Sequence, residues 1–129
     1  MSDKGLNKIL IVDDNEVHLV IAENILKSKF EVITAKSGKD ALLILSKGLV
    51  PSVILLDVLM PEMDGWETFN KIKGISLLRN VPIAFLTSLD GMREKLYASR
   101  IGAADLITKP YDGVELIKRI DSMIEGNAA

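Results

Sequence analysis

Hydrophobic residues of the chain are concentrated in five short runs, at residues 8–12, 31–35, 53–56, 81–86 and 105–108. The third run, Val-Ile-Leu-Leu, contains no polar residue. An uninterrupted apolar run of this length is typical of a strand that is buried on both faces of a parallel sheet. The pattern therefore predicts five strands, with the third in the middle of the sheet.

Between these runs, apolar residues recur at the spacing of an α-helix. One helical pattern begins at Asn15, and another is expected at about residues 90–100. Ser37, Asp64 and Asp112 precede the remaining helical segments, and their short side chains can accept a hydrogen bond from a free amide of the first turn. We therefore predict five helices, followed by a fraying tail at residues 126–129.

The spacing of the apolar residues also predicts which side of each helix faces the core. The inner residues expected on the first helix are Val17, Val20, Ile21 and Ile25. On the fourth helix, Met92 and Leu96 are expected to face inward, whereas Tyr97 and Ile101 are expected to be more exposed.

Strands and helices alternate along the whole chain, which predicts an α/β sheet covered by helices on both faces. The common order for five such strands is 2-1-3-4-5, the flavodoxin-like doubly wound (βα)5 sandwich. In this order, strands 1 and 3 are neighbours, so Asp13, Asp14 and Asp57 are expected to meet beyond their carboxyl ends. Thr87 and Lys109 end strands 4 and 5 at the same edge.

The composition places the chain among ordinary globular proteins. It has 129 residues, of which 48% are hydrophobic, a formal net charge of −2 and no cysteine. We expect one domain over residues 1–129, with its core at about 8–125, and neither disulfides nor thiolate metal sites. Nucleic acid and membrane are not expected as partners, because the chain lacks a basic field and an apolar run of about 20 residues. The short polar start does not resemble a secretory signal, so a soluble cytoplasmic domain is expected.

The residues expected at this edge of the sheet favour phosphoryl chemistry. Three neighbouring carboxylates repel one another, and a hard divalent cation such as Mg²⁺, or Mn²⁺ in its place, relieves that repulsion. Lys109 supplies a point charge suited to a phosphoryl group, and Thr87 can donate a hydrogen bond to the same group. Asp57 is then the carboxylate nucleophile that attacks phosphorus and forms an acyl phosphate.

Several short motifs occur at the ends of the predicted strands in a fixed order. They are Ile-Leu-Ile-Val-Asp-Asp-Asn at 9–15, Ile-Leu-Leu-Asp at 54–57, Met-Pro-Glu-Met-Asp-Gly at 60–65, Leu-Thr-Ser at 86–88, and Gly-Ala-Ala-Asp through Lys-Pro at 102–110. Together they resemble the receiver domain of bacterial two-component response regulators, from Lys8 to about Glu125.

The resemblance implies a role for each of the residues at the sheet edge. Asp57 would accept a phosphoryl group from a sensor histidine kinase or a phosphotransfer protein, and Thr87 and Lys109 would contact that group. Mg²⁺ would be held by Asp14, by Asp57 and by the backbone carbonyl of Leu59, with Asp13 acting mainly through water. These expected metal ligands are Asp13, Asp14, Asp57 and Leu59.

The resemblance further implies a signalling switch and not a multiple-turnover enzyme. Phosphorylation would change the fourth helix, fifth strand and fifth helix, and so control an output protein or an output domain. The chain would work either free-standing or as part of a larger regulator. The Lys109–Pro110 peptide bond is expected to be cis, as it is in the family.

Two features depart from the family pattern. Leu106 stands where the family usually has an aromatic residue that turns inward on phosphorylation, so the switch must use another packing change. Leu59 and Leu89 are apolar at the positions that govern the access of water to the acyl phosphate. Because an attacking water needs polar partners, we expect slow self-dephosphorylation.

Three alternative functions are less consistent with the sequence than this interpretation. A phosphohydrolase of the haloacid dehalogenase type needs a second acid where the chain has Leu59, and an FMN-binding module needs a loop less acidic than Asp13-Asp14-Asn15-Glu16. A degenerate receiver would lack some of the five family positions, all of which are filled. For His18, the only histidine, we expect a solvated side chain and not a phosphotransfer role.

Overall fold

The computed structural model describes residues 5–128. Strands and helices alternate regularly along this part of the chain. The strands are β1 (Lys8–Val12), β2 (Glu31–Ala35), β3 (Val53–Leu56), β4 (Ile83–Thr87) and β5 (Asp105–Thr108). The helices are α1 (Glu16–Leu26), α2 (Gly38–Ser46), α3 (Gly65–Lys73), α4 (Met92–Ile101) and α5 (Gly113–Ala128), with a short 3-10 helix at Ser76–Leu78. Within the described residues, no helix is long and apolar enough to cross a membrane.

All strands lie parallel in one sheet, in the order β2-β1-β3-β4-β5. This order confirms the predicted flavodoxin-like topology. β1 and β3 are neighbours, with Val12 paired to Leu56 at their carboxyl ends. The residues that follow these two strands therefore begin side by side at one edge of the sheet.

The core forms two layers because successive side chains of a strand point to opposite faces of the sheet. Leu10 and Ile54 pack in the layer that α2 and α3 cover, and Ile9 and Leu55 pack in the layer that α1 and α5 cover. All four residues of β3 are buried, as its apolar run predicts. Burial of each such side chain stabilises the fold by about 1.5–3 kcal/mol.

The predicted caps are present at the helix starts that the sequence indicates. The amide hydrogens of Asp40, Glu67 and Glu115 donate to the side chains of Ser37, Asp64 and Asp112 at 3.0, 2.9 and 3.0 Å. Asn15 caps α1 in the same way, because its side chain accepts the His18 amide hydrogen at 3.1 Å. α5 continues to Ala128, so the fraying tail expected from residue 126 is wrong.

The inner face predicted for α1 is wrong for three of its four residues, whereas Ile25 packs partly against the core as expected. The residues buried on this helix are Leu19, Ala22 and Leu26, whereas Val17, Val20 and Ile21 are exposed. Both sets have helical spacing, because apolar residues occur around more than one side of α1. The stripe that faces the sheet is therefore decided by how the helix docks, and not by periodicity.

The inner face predicted for α4 is wrong as well. Met92 and Leu96 are 70% and 59% exposed, whereas Ala98 is buried and Ile101 packs partly against the core. Met92 and Leu96 lie on a different side of the helix from Ala98, so burial of Ala98 against the core turns the two larger side chains outward. Tyr97 is 42% exposed and packs edge-on against Trp66 at 4.8 Å between ring centres.

Candidate functional site

The carboxyl ends of β1 and β3 bring three carboxylates together. The hydrogen bonds between neighbouring strands continue one residue beyond the strand ends. The Asp57 amide donates to the Val12 carbonyl at 2.9 Å, and the Asp13 amide donates to the Ala35 carbonyl at 3.1 Å. One carboxylate oxygen each from Asp13, Asp14 and Asp57 lies within 4.8 Å of the others. Asp13 and Asp57 are buried, and Asp14 is exposed.

Lys109 lies between the two buried carboxylates. Its backbone is held at the end of β5, where its amide donates to the Thr87 carbonyl at 2.8 Å. Its ammonium Nζ lies 2.6 Å from Asp13 Oδ2 and 3.7 Å from Asp57 Oδ2. The Lys109–Pro110 peptide bond is cis, which confirms the prediction.

The surroundings of Asp57 make its carboxylate costly to ionise. Burial raises the pKa of Asp57 to about 6, although the Lys109 ammonium opposes this rise and the Asp13 carboxylate adds to it. The Lys109 ammonium only partly offsets the repulsion between the carboxylates of Asp57 and Asp13. An additional cation near Asp57 would therefore relieve that repulsion.

The ligand atoms at this edge fit a hard divalent cation. They are carboxylate oxygens, and the Leu59 backbone carbonyl, which accepts no backbone hydrogen bond within residues 5–128, can add another oxygen. Mg²⁺ binds through one or two carboxylates and keeps several waters, so an exposed ligand such as Asp14 suits it. The three carboxylates and the carbonyl oxygen together could hold Mg²⁺.

Thr87 is at the expected strand end, the carboxyl end of β4. The side chain is fully buried, and Oγ1 accepts a hydrogen bond from the Leu89 amide at 3.2 Å. In the part of the chain that the structure describes, the neighbouring Ser88 and not Thr87 lines the cleft over Asp57. Because Oγ1 is the acceptor in that hydrogen bond, the O–H of Thr87 keeps its capacity to donate to a group on Asp57.

A cleft of about 560 Å³ opens over Asp57, which is a size typical of small-ligand sites. Ile21, Leu59 and Pro110 form an apolar rim, and Lys109 contributes its ammonium to the wall. Leu59 is 55% exposed at this opening. The cleft thus joins the charged atoms at the sheet edge to solvent past apolar side chains.

The structure also places a residue at the site that the sequence interpretation assigned to solvent. His18 lines the cleft, with Nδ1 2.9 Å from Lys109 Nζ and 3.6 Å from Asp13 Oδ2. Its side chain is 44% exposed, so the expected solvation is only partial. One feature of the sequence indicates this placement. His18 lies four residues after Asp14, in the first turn of α1, which is the turn nearest to the carboxylates.

Gly65 brings the start of α3 against the backbone that carries Asp57. A Cβ atom at Gly65 would overlap the Asp57 carbonyl oxygen and would lie 2.7 Å from Val58 Cα. Because both are backbone atoms, no side-chain rotation relieves the contact. We expect Gly65→Ala to lower the free energy of unfolding by about 3 kcal/mol, more than the gain in helix propensity from alanine.

Urea unfolding of the purified variants measures this effect, with Gly74→Ala at the other end of α3 as the matched control. A Cβ atom at Gly74 would lie 3.4 Å from the Lys71 carbonyl oxygen, an ordinary van der Waals distance. We expect the control to stay within about 1 kcal/mol of wild type. Equal stability of the two variants would contradict the close approach of α3 to Asp57.

Comparisons with known proteins point in one direction. The family described as "Response regulator receiver domain" matches residues 9–121. The chain is 39% identical over 117 residues to "Response regulator PleD" of Caulobacter vibrioides, which covers 90% of this chain and 26% of PleD. It is 33% identical over 118 residues to "Protein PilG" of Pseudomonas aeruginosa, which covers 91% of this chain and 87% of PilG. The structure of Vibrio cholerae chemotaxis protein CheY4 matches with a TM-score of 0.86 at 29% identity, over 92% of this chain and 98% of that one.

Proposed function

Since the chain belongs to the response regulator receiver domain family of two-component systems, we propose that it is a phosphorylation-dependent switch with Asp57 as its phospho-acceptor. The observation that carries the proposal is a buried carboxylate at the sheet edge, with two further carboxylates and an ammonium beside it. The chain spans only about a quarter of the length of PleD.

Asp57 acts as the nucleophile in the proposed reaction. One carboxylate oxygen attacks the phosphorus of the donor, the new O–P bond forms an acyl phosphate, and the bond from phosphorus to the donor breaks. The attacking form is the carboxylate, which predominates at neutral pH because the pKa of Asp57 is about 6. Lys109 Nζ, 3.7 Å from Asp57 Oδ2, lies within a short movement of the incoming phosphoryl oxygens and stabilises their charge.

We propose Mg²⁺ as the cofactor of this reaction. Asp14, Asp57 and the Leu59 carbonyl would hold it directly, with Asp13 acting through water, and Mn²⁺ can replace it at oxygen ligands. When bound, the ion neutralises charge on the phosphoryl group. Lys109 forms an ion pair with Asp13 in the structure, so its positive charge opposes the binding of a cation at the neighbouring carboxylates.

A phosphohydrolase acting on small phosphoesters is the strongest alternative, because such enzymes also form an aspartyl phosphate. The side chain two residues after Asp57 is Leu59, which cannot donate or accept a proton. We therefore expect a single phosphoryl transfer and no multiple turnover. An FMN phosphate is disfavoured at this edge by the carboxylates of Asp13 and Asp14, and an absorbance spectrum of the purified protein checks for bound flavin.

The proposed donor is a sensor histidine kinase or a phosphotransfer protein, and the proposed output surface consists of α4, β5 and α5. Met92 and Leu96 on α4 are apolar and exposed, which suits contact with a partner. Leu106 in β5 packs partly against the core and offers no aromatic ring for a switch. Trp66 contacts Tyr97 of α4, so this aromatic contact is a candidate for the packing change.

Incubation with acetyl phosphate and Mg²⁺, followed by intact-mass measurement, tests the proposed function. We expect the mass of one phosphoryl group to be added, with peptide mapping placing it at Asp57. Addition of EDTA should prevent the increase, because the cation stabilises the transferring group. An unmodified protein, or a modification at another residue, would overturn the proposal.

The acyl phosphate is expected to be long-lived because Leu59 and Leu89 offer no hydrogen bond to an attacking water. Leu59 is exposed at the mouth of the cleft, and Leu89 packs partly against the core. We expect Leu59→Asn combined with Leu89→Glu to accelerate the loss of phosphate about tenfold. Intact mass followed over time after removal of the donor measures this rate.

The matched control for this experiment is Leu77→Asn, which changes an exposed leucine in the 3-10 helix. We expect its dephosphorylation rate to equal that of wild type. A double variant that decays no faster than this control would show that the two leucines do not limit the access of water.

A further inference from the structure

We propose that His18 is a positioning residue that orients the ammonium of Lys109 toward Asp57. This inference rests on the proposed function, because its consequence is a faster phosphoryl transfer. The contact that carries it joins His18 Nδ1 and Lys109 Nζ at 2.9 Å, between two residues 91 positions apart in the chain. His18 touches the lysine from α1, and Asp13 touches it from the position directly after β1.

The hydrogen-bonding capacity of an ammonium makes this contact consequential. Lysine has three N–H donors and no acceptor, so each partner of Nζ must accept. Asp13 Oδ2 at 2.6 Å and His18 Nδ1 at 2.9 Å account for two donors. The third N–H of Nζ remains available to Asp57, whose Oδ2 lies 3.7 Å away.

Asp13 alone would not hold the ammonium in this orientation. A single short ion pair leaves the ammonium free to rotate about its own axis, and the four-carbon stem of lysine is flexible. A second acceptor in a different direction removes this rotation. His18 supplies that acceptor from a fixed place, because its own amide donates to the cap residue Asn15 at 3.1 Å and the next residue, Leu19, is buried.

The contact also requires one particular form of the imidazole. Because lysine can only donate, Nδ1 must carry a lone pair, and the proton of the neutral ring must be on Nε2. A side-chain oxygen at the position of Nδ1 could serve the same purpose. Asparagine places its Oδ1 there, which provides a conservative replacement, whereas alanine removes the acceptor.

The kinetic test compares phosphorylation by acetyl phosphate and Mg²⁺ in His18→Ala, His18→Asn and wild type. We expect the rate to fall about fivefold with alanine and to return to within about twofold of wild type with asparagine. Val17→Ala, an exposed position on the same helix, is the matched control and should leave the rate unchanged. A normal rate in His18→Ala, or a His18→Asn variant as slow as His18→Ala, would overturn the inference.

A nitrogen NMR measurement tests the contact without phosphorylation. The chain has one histidine, so its ring nitrogens are assigned without ambiguity. In neutral imidazole at about pH 8.5, we expect an Nε2–H form whose Nδ1 resonance is shifted by hydrogen bonding. Lys109→Met should return that resonance to the position of a non-bonded nitrogen.

The two measurements separate the failure of this inference from the failure of the proposed function. An Nδ1–H ring, or an Nδ1 resonance unaffected by Lys109→Met, would overturn the positioning contact even in a protein that takes up phosphate. A hydrogen-bonded Nδ1 in a protein that takes up no phosphate would support the contact and overturn the proposed function.

Discussion

The Asp57→Asn variant is expected to gain no phosphoryl mass from acetyl phosphate and Mg²⁺, while wild type gains one phosphoryl group. An amide oxygen is a poor nucleophile, and within the described residues the neighbouring carboxylate of Asp13 is already paired with Lys109. Intact mass after the same incubation is the measurement. Asp90→Asn, at an exposed aspartate beyond β4, is the matched control and should be modified like wild type.

The same variant is expected to be more stable than wild type at neutral pH in the absence of metal. The folded-state pKa of Asp57, about 6, lies above the value of about 4 for an unfolded chain, so the folded state binds the proton more tightly. The contribution of Asp57 to the free energy of unfolding therefore falls as the pH rises from about 4 to about 6. Asparagine carries no charge and avoids this loss, which amounts to at most about 3 kcal/mol.

Urea unfolding in EDTA at about pH 4.5 and about pH 7.5 measures this difference. We expect the advantage of Asp57→Asn over wild type to be larger at the higher pH. An equal advantage at both pH values would show that Asp57 is not costly to ionise. A phosphorylated Asp57→Asn variant would overturn the assignment of the acceptor itself.

Replacement of Lys109 by alanine is expected to slow the phosphorylation of Asp57 by a factor of about 10²–10³. The ammonium, 3.7 Å from Asp57 Oδ2, is the side-chain cation placed to meet charge on the transferring phosphoryl group. Its loss also leaves two buried carboxylates without the cation between them, which raises the pKa of Asp57 further. The rate of mass gain under acetyl phosphate and Mg²⁺ is the measurement.

Binding of Mg²⁺ to Lys109→Ala is expected to change in the opposite direction, becoming tighter. The positive charge of Lys109 lies 2.6 Å from Asp13 and 3.7 Å from Asp57, where it repels the ion, and its removal ends that repulsion. Calorimetric titration measures the affinity and shows at the same time that the variant is folded. Lys118→Ala, at an exposed lysine of α5, is the matched control for both measurements. A rate within about twofold of wild type would exclude a role for Lys109 in the transfer.

Much of this architecture follows from local features of the sequence. The uninterrupted apolar run at Val53–Leu56 indicates a buried central strand, and the capping residues Ser37, Asp64 and Asp112 mark helix starts. The strand order follows from the alternation of strands and helices, because right-handed crossovers leave few arrangements. The meeting of Asp13 and Asp57 is then a consequence of strand order, since both follow neighbouring strands in a parallel sheet.

Other features depend on distances between elements that no local pattern encodes. The apolar residues of α1 fit two stripes, and docking against the sheet buries Leu19 in place of Val17. The packing of Gly65 against the backbone of Asp57 and the contact between His18 and Lys109 join residues 8 and 91 positions apart. Periodicity records which residues can share a face, whereas these contacts require the position of each element relative to its neighbours, which is set by the packing of the whole core.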